Sequence, residues 1–171
     1  MDLRMALTFR SARPRDADAV ADVARRTWRG TYAGMIPDAA IEAHLAAAYE
    51  PTQVAARIAR ADRFDVAEDE QGEVVGFAEW QLHGDTAELV ATYVLPGCQR
   101  RGIGRAFHER AREGFADLAS AFETNVLTAN EGGRSFYESL GYRSAGSAAF
   151  ALAGSPIEQT LYRLALGGED G

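Results

Sequence analysis

Apolar positions change their spacing twice along this chain. From residue 14 to residue 60 they recur every three or four positions, from 63 to 95 they alternate, and helical spacing returns at Ile103. Ala17, Val20, Ala24 and Trp28 make one stripe on a helix predicted over residues 14–30, with Asp16 near its start. Ile41, Leu45, Ala48 and Tyr49 share a side of a second helix that begins at Asp38, and Val54 and Ile58 mark a third that begins at Pro51. Residues 7–12 alternate weakly enough for a first strand, and residues 31–38 form a loop rich in large side chains.

Phe64 and Val66, then Val75 and Phe77, flank Gln71-Gly72 as a hairpin. A second turn at Gly84-Asp85 joins residues 74–82 to 87–95. Strict alternation on that last strand puts Leu89, Ala91 and Tyr93 on one face and Glu88, Val90, Thr92 and Val94 on the other. The next helix carries Ile103, Ala106, Phe107, Ala111, Phe115 and Leu118 at i, i+3, i+4 spacing. Residues 121–127 predict a strand, 130–140 a helix, and two closing strands flank Gly154-Ser155-Pro156. With no repeat or linker, the 171 residues read as one α/β domain, 1–171, ending in a disordered tail at 167–171.

Composition narrows the chemistry. The 47% hydrophobic and 25% charged residues are those of an ordinary soluble globular protein. No apolar run reaches the roughly 18 residues of a membrane span, and Met1-Asp2-Leu3-Arg4 lacks a signal-peptide pattern, so a cytoplasmic protein with no membrane partner is expected. A single cysteine, Cys98, excludes an internal disulfide. All 18 basic residues are arginine, which removes Schiff-base, P-loop lysine and Ser-Lys mechanisms. The net charge of −7 argues against nucleic-acid binding and favours a neutral or cationic substrate. An all-arginine, acid-rich composition suits either a high-salt cytoplasm or a GC-biased genome. His44, His83 and His108 have no ligand spacing, so no metal is expected.

The stretch around which the chain is organised is residues 94–107. A strand ends near Pro96, a basic loop holds Gly102 and Gly104, and a helix starts at Ile103. The glycines allow a tight turn that brings several N–H groups toward one point at a helix N-terminus, a phosphate-binding arrangement beside Arg100, Arg101 and Arg105. A Walker loop is excluded because no Gly-Lys-Ser/Thr occurs. Phe107 stands where a dinucleotide fingerprint needs a small residue. Gln99-x-x-Gly102-x-Gly104 after a strand ending Val94-x-Pro96 resembles the pyrophosphate loop of the GNAT superfamily of acyl-CoA N-acyltransferases.

A second stretch, residues 126–142, adds to this resemblance. Asn130 can cap a helix that Gly141 ends, and seven positions later Tyr137 lies only about 20° around the helix from it. Asn130, Gly133, Phe136-Tyr137 and Leu140-Gly141-Tyr142 are similar to the GNAT pattern, and the resemblance spans about residues 7 to 166. It implies a GNAT-like mixed, mostly antiparallel sheet flanked by helices and an acetyl-CoA cosubstrate. Tyr137, a phenol of reference pKa about 10, would protonate the leaving thiolate. Backbone N–H groups of Val94 and Leu95 would meet the oxyanion. Gln99 and the run Arg100, Arg101, Gly102, Ile103, Gly104 and Arg105 would hold the pyrophosphate, and Asn130 the pantetheine arm.

Trp28 and Tyr32, with Gly34 and Pro37, fall where this fold builds one wall of the acceptor pocket; a simple hydrophobic anchor is the alternative. Glu79, Glu88 or a water chain would take the amine proton, with His83 a weaker candidate. Tyr137 read alone would be a packing residue, Asn130 a plain cap, and Gly132-Gly133 loosens the helix start at about 1 kcal/mol each. Cys98 has no base placed for it, which disfavours an acyl-cysteine. The function expected is transfer of an acetyl group to a small-molecule primary amine, with a protein amine as the second acceptor class. A non-catalytic CoA-binding sensor and a small interaction domain are the other readings, and a homodimer through the closing strands is the partner implied.

Overall fold

The computed structural model describes residues 6–167. In chain order it forms β1 (Thr8–Ser11), a 3-10 turn at Pro14–Asp16, α1 (Ala17–Thr31), α2 (Asp38–Ala48), α3 (Pro51–Arg60), β2 (Arg63–Glu68), β3 (Val74–His83) and β4 (Thr86–Val94). α4 (Ile103–Gly114), β5 (Ala121–Leu127), α5 (Glu131–Ser139), β6 (Arg143–Leu152) and β7 (Ser155–Ala165) follow. One seven-stranded sheet runs β1-β2-β3-β4-β5-β7-β6. Every neighbouring pair is antiparallel except β4 and β5, whose parallel pairing needs the crossover that α4 supplies. The mixed, mostly antiparallel α/β architecture expected from the alternation is therefore present. Among the described residues no helix is long and apolar enough to cross a membrane.

Side chains alternate across β3 and so assign the layers. Phe77 meets Tyr49 on the face covered by α1, α2 and α3, at 6.3 Å between ring centroids. Trp80 meets His108 of α4 on the opposite face, which α4 shares with α5. The predicted stripe of α1 is buried throughout, with Val20 and Ala24 fully so. α4 is fastened to β2 by the fully buried Asp65, which accepts from Arg63 Nε at 2.8 Å and from Arg110 Nε at 3.4 Å. That pairing matters because the N-terminus of α4 borders the site.

Three expectations are corrected. Leu118 does not continue the α4 stripe: the helix ends at Gly114 and Leu118 is 56% exposed. The closing turn is Ala153-Gly154, both at positive φ as a two-residue hairpin turn demands, and Ser155 and Pro156 already belong to β7. Most consequentially, alternation on β4 breaks. Trp80 pairs with Leu89 and Glu79 with Ala91, leaving Val90 unpaired as a bulge. Leu89 and Ala91 consequently lie on opposite faces, and Glu88, opposite Gln81, falls on the face of Glu79 rather than with Thr92. Of the expected tail, residues 168–171 lie outside the described residues.

One interior group gives the fold a pH dependence. His108 is buried among Trp80, Phe122 and Tyr142, with Nε2 2.9 Å from the Tyr142 hydroxyl and Nδ1 unpartnered. Desolvation, with a smaller contribution from Arg112, lowers its pKa from 6.5 to about 4. The unfolded chain therefore takes up a proton first as pH falls. Stability from this residue is complete above pH about 6.5, declines by about 3 kcal/mol toward pH 4 and is level below it. Urea titrations of wild type and His108→Phe between pH 7 and 4 should show this decline in the wild type and its loss in the variant. Parallel pH profiles would contradict the assignment.

Candidate active site

Below the apex at Leu89 and Thr124 the β4–β5 ladder is intact, and beyond it the two strands have no further pairing although β4 runs to Val94 and β5 to Leu127. Thr124 Oγ1 donates to Leu89 O at 3.1 Å and pins that apex, and the Val90 bulge follows at once. Leu95 N donates to Val75 O at 2.9 Å, so by alternation Tyr93 also turns its polar groups to β3 while Thr92 and Val94 turn theirs into the gap. The Val94 carbonyl confirms this direction, accepting from Gln99 Nε2 at 3.1 Å and Thr27 Oγ1 at 3.4 Å. Of the two amides expected to meet an oxyanion, that of Val94 points into the gap and that of Leu95 is already paired with Val75.

The gap widens into a cleft of about 590 Å³ on the α4–α5 side. Gly102 caps α4 at φ 78°, and Arg100 adopts φ 63°, a conformation that disfavours a side chain by about 1–2 kcal/mol. These turns leave the first N–H groups of α4 without helical partners. Arg100, Ile103 and Arg105 line the cleft with Gln99, Gly102 and Gly104, whereas Arg101 is exposed outside the lining. Gly104 has a role other than turning. A Cβ there would lie 3.0 Å from Phe136, so its absence lets α5 approach α4.

Gly133 likewise proves to be a requirement rather than a weakness. Its N–H donates to Asn130 Oδ1 at 3.0 Å, and a Cβ would stand 2.6 Å from Asn130 Nδ2. The cap and the cleft wall are therefore the same side chain, since Asn130 also lines the cleft.

Tyr137 is buried against the same cleft, on the side of the sheet that Gly102 and Gly104 occupy. Burial pushes its phenol above the ordinary range, the nearby Tyr32 adds to the rise, and a hydrogen bond to Thr124 opposes it. Tyr32, from the other face, is raised chiefly by burial, with Tyr93 and Asn130 beside its hydroxyl opposing the rise.

A second cavity of about 380 Å³ lies on the α1–α3 side. It shares Tyr32, Val90, Ala91, Tyr93 and Asn125 with the first, so the two meet through the gap in the sheet. Trp28 and Tyr32 line it, their ring centroids 4.6 Å apart. His44, Tyr49, Arg57 and Phe150 also line it without having been singled out as site residues. Tyr49 was visible only as part of an apolar stripe, and Arg57 and Phe150 carried no motif.

The glutamates fare differently. Glu79 is 5% exposed, lines neither cavity and accepts from Arg57 Nη2 at 2.6 Å and Nε at 3.2 Å. Arg57 also donates to Ala48 O at 2.7 Å and sits 4.7 Å above the Tyr49 ring. Glu88 lies before the gap, outside both cavities, 2.8 Å from the exposed His83.

A family model described as an acetyltransferase (GNAT) domain matches residues 60–144, which hold both the Gly-rich turn and the Asn130–Tyr142 segment. The chain belongs to the GNAT acetyltransferase family. A spermidine N(1)-acetyltransferase of Thermoplasma acidophilum is 26% identical over 105 residues, 59% of this chain and 65% of that protein. YuaI of Bacillus subtilis, an uncharacterized N-acetyltransferase, is 32% identical over 112 residues, 63% of each. The chain thus spans just under two thirds of the length of these relatives. A crystal structure of the PaiA N-acetyltransferase from T. acidophilum in complex with coenzyme A superposes with a TM-score of 0.80 at 23% identity, covering 91% of this chain and 98% of that one.

The GNAT match divides the site in two. The cleft at α4 and α5 lies inside the matched segment, but Trp28, Tyr32, His44, Tyr49, Arg57 and Phe150 lie outside it. That second wall lies outside the matched segment. Its Arg57–Glu79 pair should be tested first for stability: Arg57→Met strands a buried carboxylate and should lower unfolding free energy by about 3 kcal/mol, with Arg57→Met/Glu79→Leu recovering most of it in urea titrations. A loss in the double variant equal to the sum of the losses in Arg57→Met and Glu79→Leu would show that the two side chains are not coupled.

Proposed function

We propose that this chain is an acetyl-CoA-dependent N-acetyltransferase that transfers an acetyl group directly to the primary amine of a small molecule. The observation that carries the reading is the meeting of two cavities, one on each face of the sheet, at the single gap between β4 and β5. The cleft fits the cofactor on its own chemistry: helix-start amides and the guanidinium groups of Arg100 and Arg105 suit a diphosphate, and strand amides in the gap suit an extended amide-bearing arm. When bound, acetyl-CoA supplies the thioester carbonyl.

The chain's own groups have separable tasks. The Val94 N–H points into the gap, where an oxyanion can be met. Tyr137 keeps its proton throughout the neutral range and can deliver it to a departing thiolate, whose proton affinity the same desolvation raises. Among the described lining residues of the cleft there is no histidine or carboxylate to activate Cys98, which supports direct attack over an acyl-cysteine.

On the acceptor side the proton must leave an ammonium of reference pKa about 10.4. Glu79 is held by Arg57 and Glu88 is remote, so the role passes to His44 or water. Burial lowers the His44 pKa, with Arg57 adding to the effect, which leaves its imidazole neutral and able to accept at pH 7.

Calorimetry with acetyl-CoA, followed by thiol release against an amine panel, tests the proposal. Tyr137→Phe should bind acetyl-CoA as wild type does and turn over about 100-fold more slowly. Undiminished turnover would remove Tyr137 from the chemistry. A wild type that does not bind acetyl-CoA would overturn the whole reading.

A further inference from the structure

We infer that the acceptor is a monoamine with a flat apolar body, of the arylalkylamine kind, and that the cavity beneath α1 and α2 discriminates against polyamines. The inference rests on the acetyl-transfer reading and deepens it by naming the substrate class. Its basis is what lines the acceptor cavity. Trp28 stacks on His44 at 4.4 Å between centroids with 37° between the planes, Tyr32 meets Trp28 edge-on, and Phe150 reaches over from β6. Trp28 Nε1 has no hydrogen-bond partner. Ring walls of this kind favour another ring, by offset stacking and edge contacts beyond the area buried.

Charge decides against the alternative. Among the described residues that line the cavity there is no aspartate or glutamate, and the one charged side chain is Arg57. Its Nε and Nη2 are taken by Glu79 and its Nη1 by the Ala48 carbonyl, so the pair presents no free carboxylate to an incoming cation. The reacting nitrogen needs none, because it must lose its proton to attack. A polyamine brings further ammonium groups that stay charged, and an unpaired buried cation loses more hydration than a ring face returns.

The test uses the intact protein with acetyl-CoA and compares phenethylamine with spermidine by thiol release, and by calorimetry on the CoA-loaded protein. Phenethylamine should exceed spermidine by about tenfold or more in kcat/KM and in affinity. Gln159→Glu, which places a carboxylate on the half-buried β7 side of the cavity, should narrow that ratio about tenfold, chiefly through KM for spermidine, with acetyl-CoA affinity retained as the check on folding. Spermidine equal to or better than phenethylamine in the wild type would overturn the inference. So would a protein that binds CoA yet neither binds nor acetylates phenethylamine at about 10 mM. Failure to bind CoA at all would overturn the acetyl-transfer reading together with this one.

Discussion

The structure turns on backbone groups that the sheet leaves unpaired. A buried strand ordinarily gives both edges to its neighbours, yet β4 gives only one beyond Leu89. The Val90 bulge and the Thr124 hydrogen bond fix where pairing stops, and β5 satisfies its far edge on β7 instead. Amides of Thr92 and Val94 are left facing a gap inside the molecule. Unpaired amides in such a place are costly for the free protein and useful to a ligand that can hydrogen-bond with them.

That gap also organises chemistry by face. Because it passes through the sheet, a side chain from α5 and one from α1 can approach the same point from opposite sides, as Tyr137 and Tyr32 do. The α4 N-terminus with Arg100 and Arg105, proposed to hold the diphosphate, lies on one face, and the aromatic wall on the other. The different linings of the two sides give an orientation to any pair of ligands that meets there. The strained backbone at Arg100 and the missing side chain at Gly104 are local costs consistent with keeping that cleft open and α5 close.

Periodicity made the element order legible, and for a physical reason: helices and strands that cover one core must repeat their apolar residues at 3.6 or 2. The Gly-rich turn and the α5 cap were legible too, because a turn that collects amides needs glycine and a cap needs a short polar side chain, as at Gly102 and Asn130. What escaped depends on contacts between distant segments. A bulge at Val90 leaves no mark in an alternating run, yet it reverses the face of Glu88. The pairing of Glu79 with Arg57 joins β3 to α3, and Phe150 enters the acceptor cavity from a strand formed near the end of the chain. Gly133 looked like a weak helix start because its value lies in the space it leaves for Asn130.

Amide hydrogen exchange resolved to single residues reads the central feature directly. In the free protein the Thr92 and Val94 amides should exchange faster than those of Tyr93 and Leu95, which are paired to β3, and saturating acetyl-CoA should slow Thr92 and Val94 selectively. Protection that left these two amides unchanged while appearing elsewhere would contradict a cofactor seated in the gap between β4 and β5.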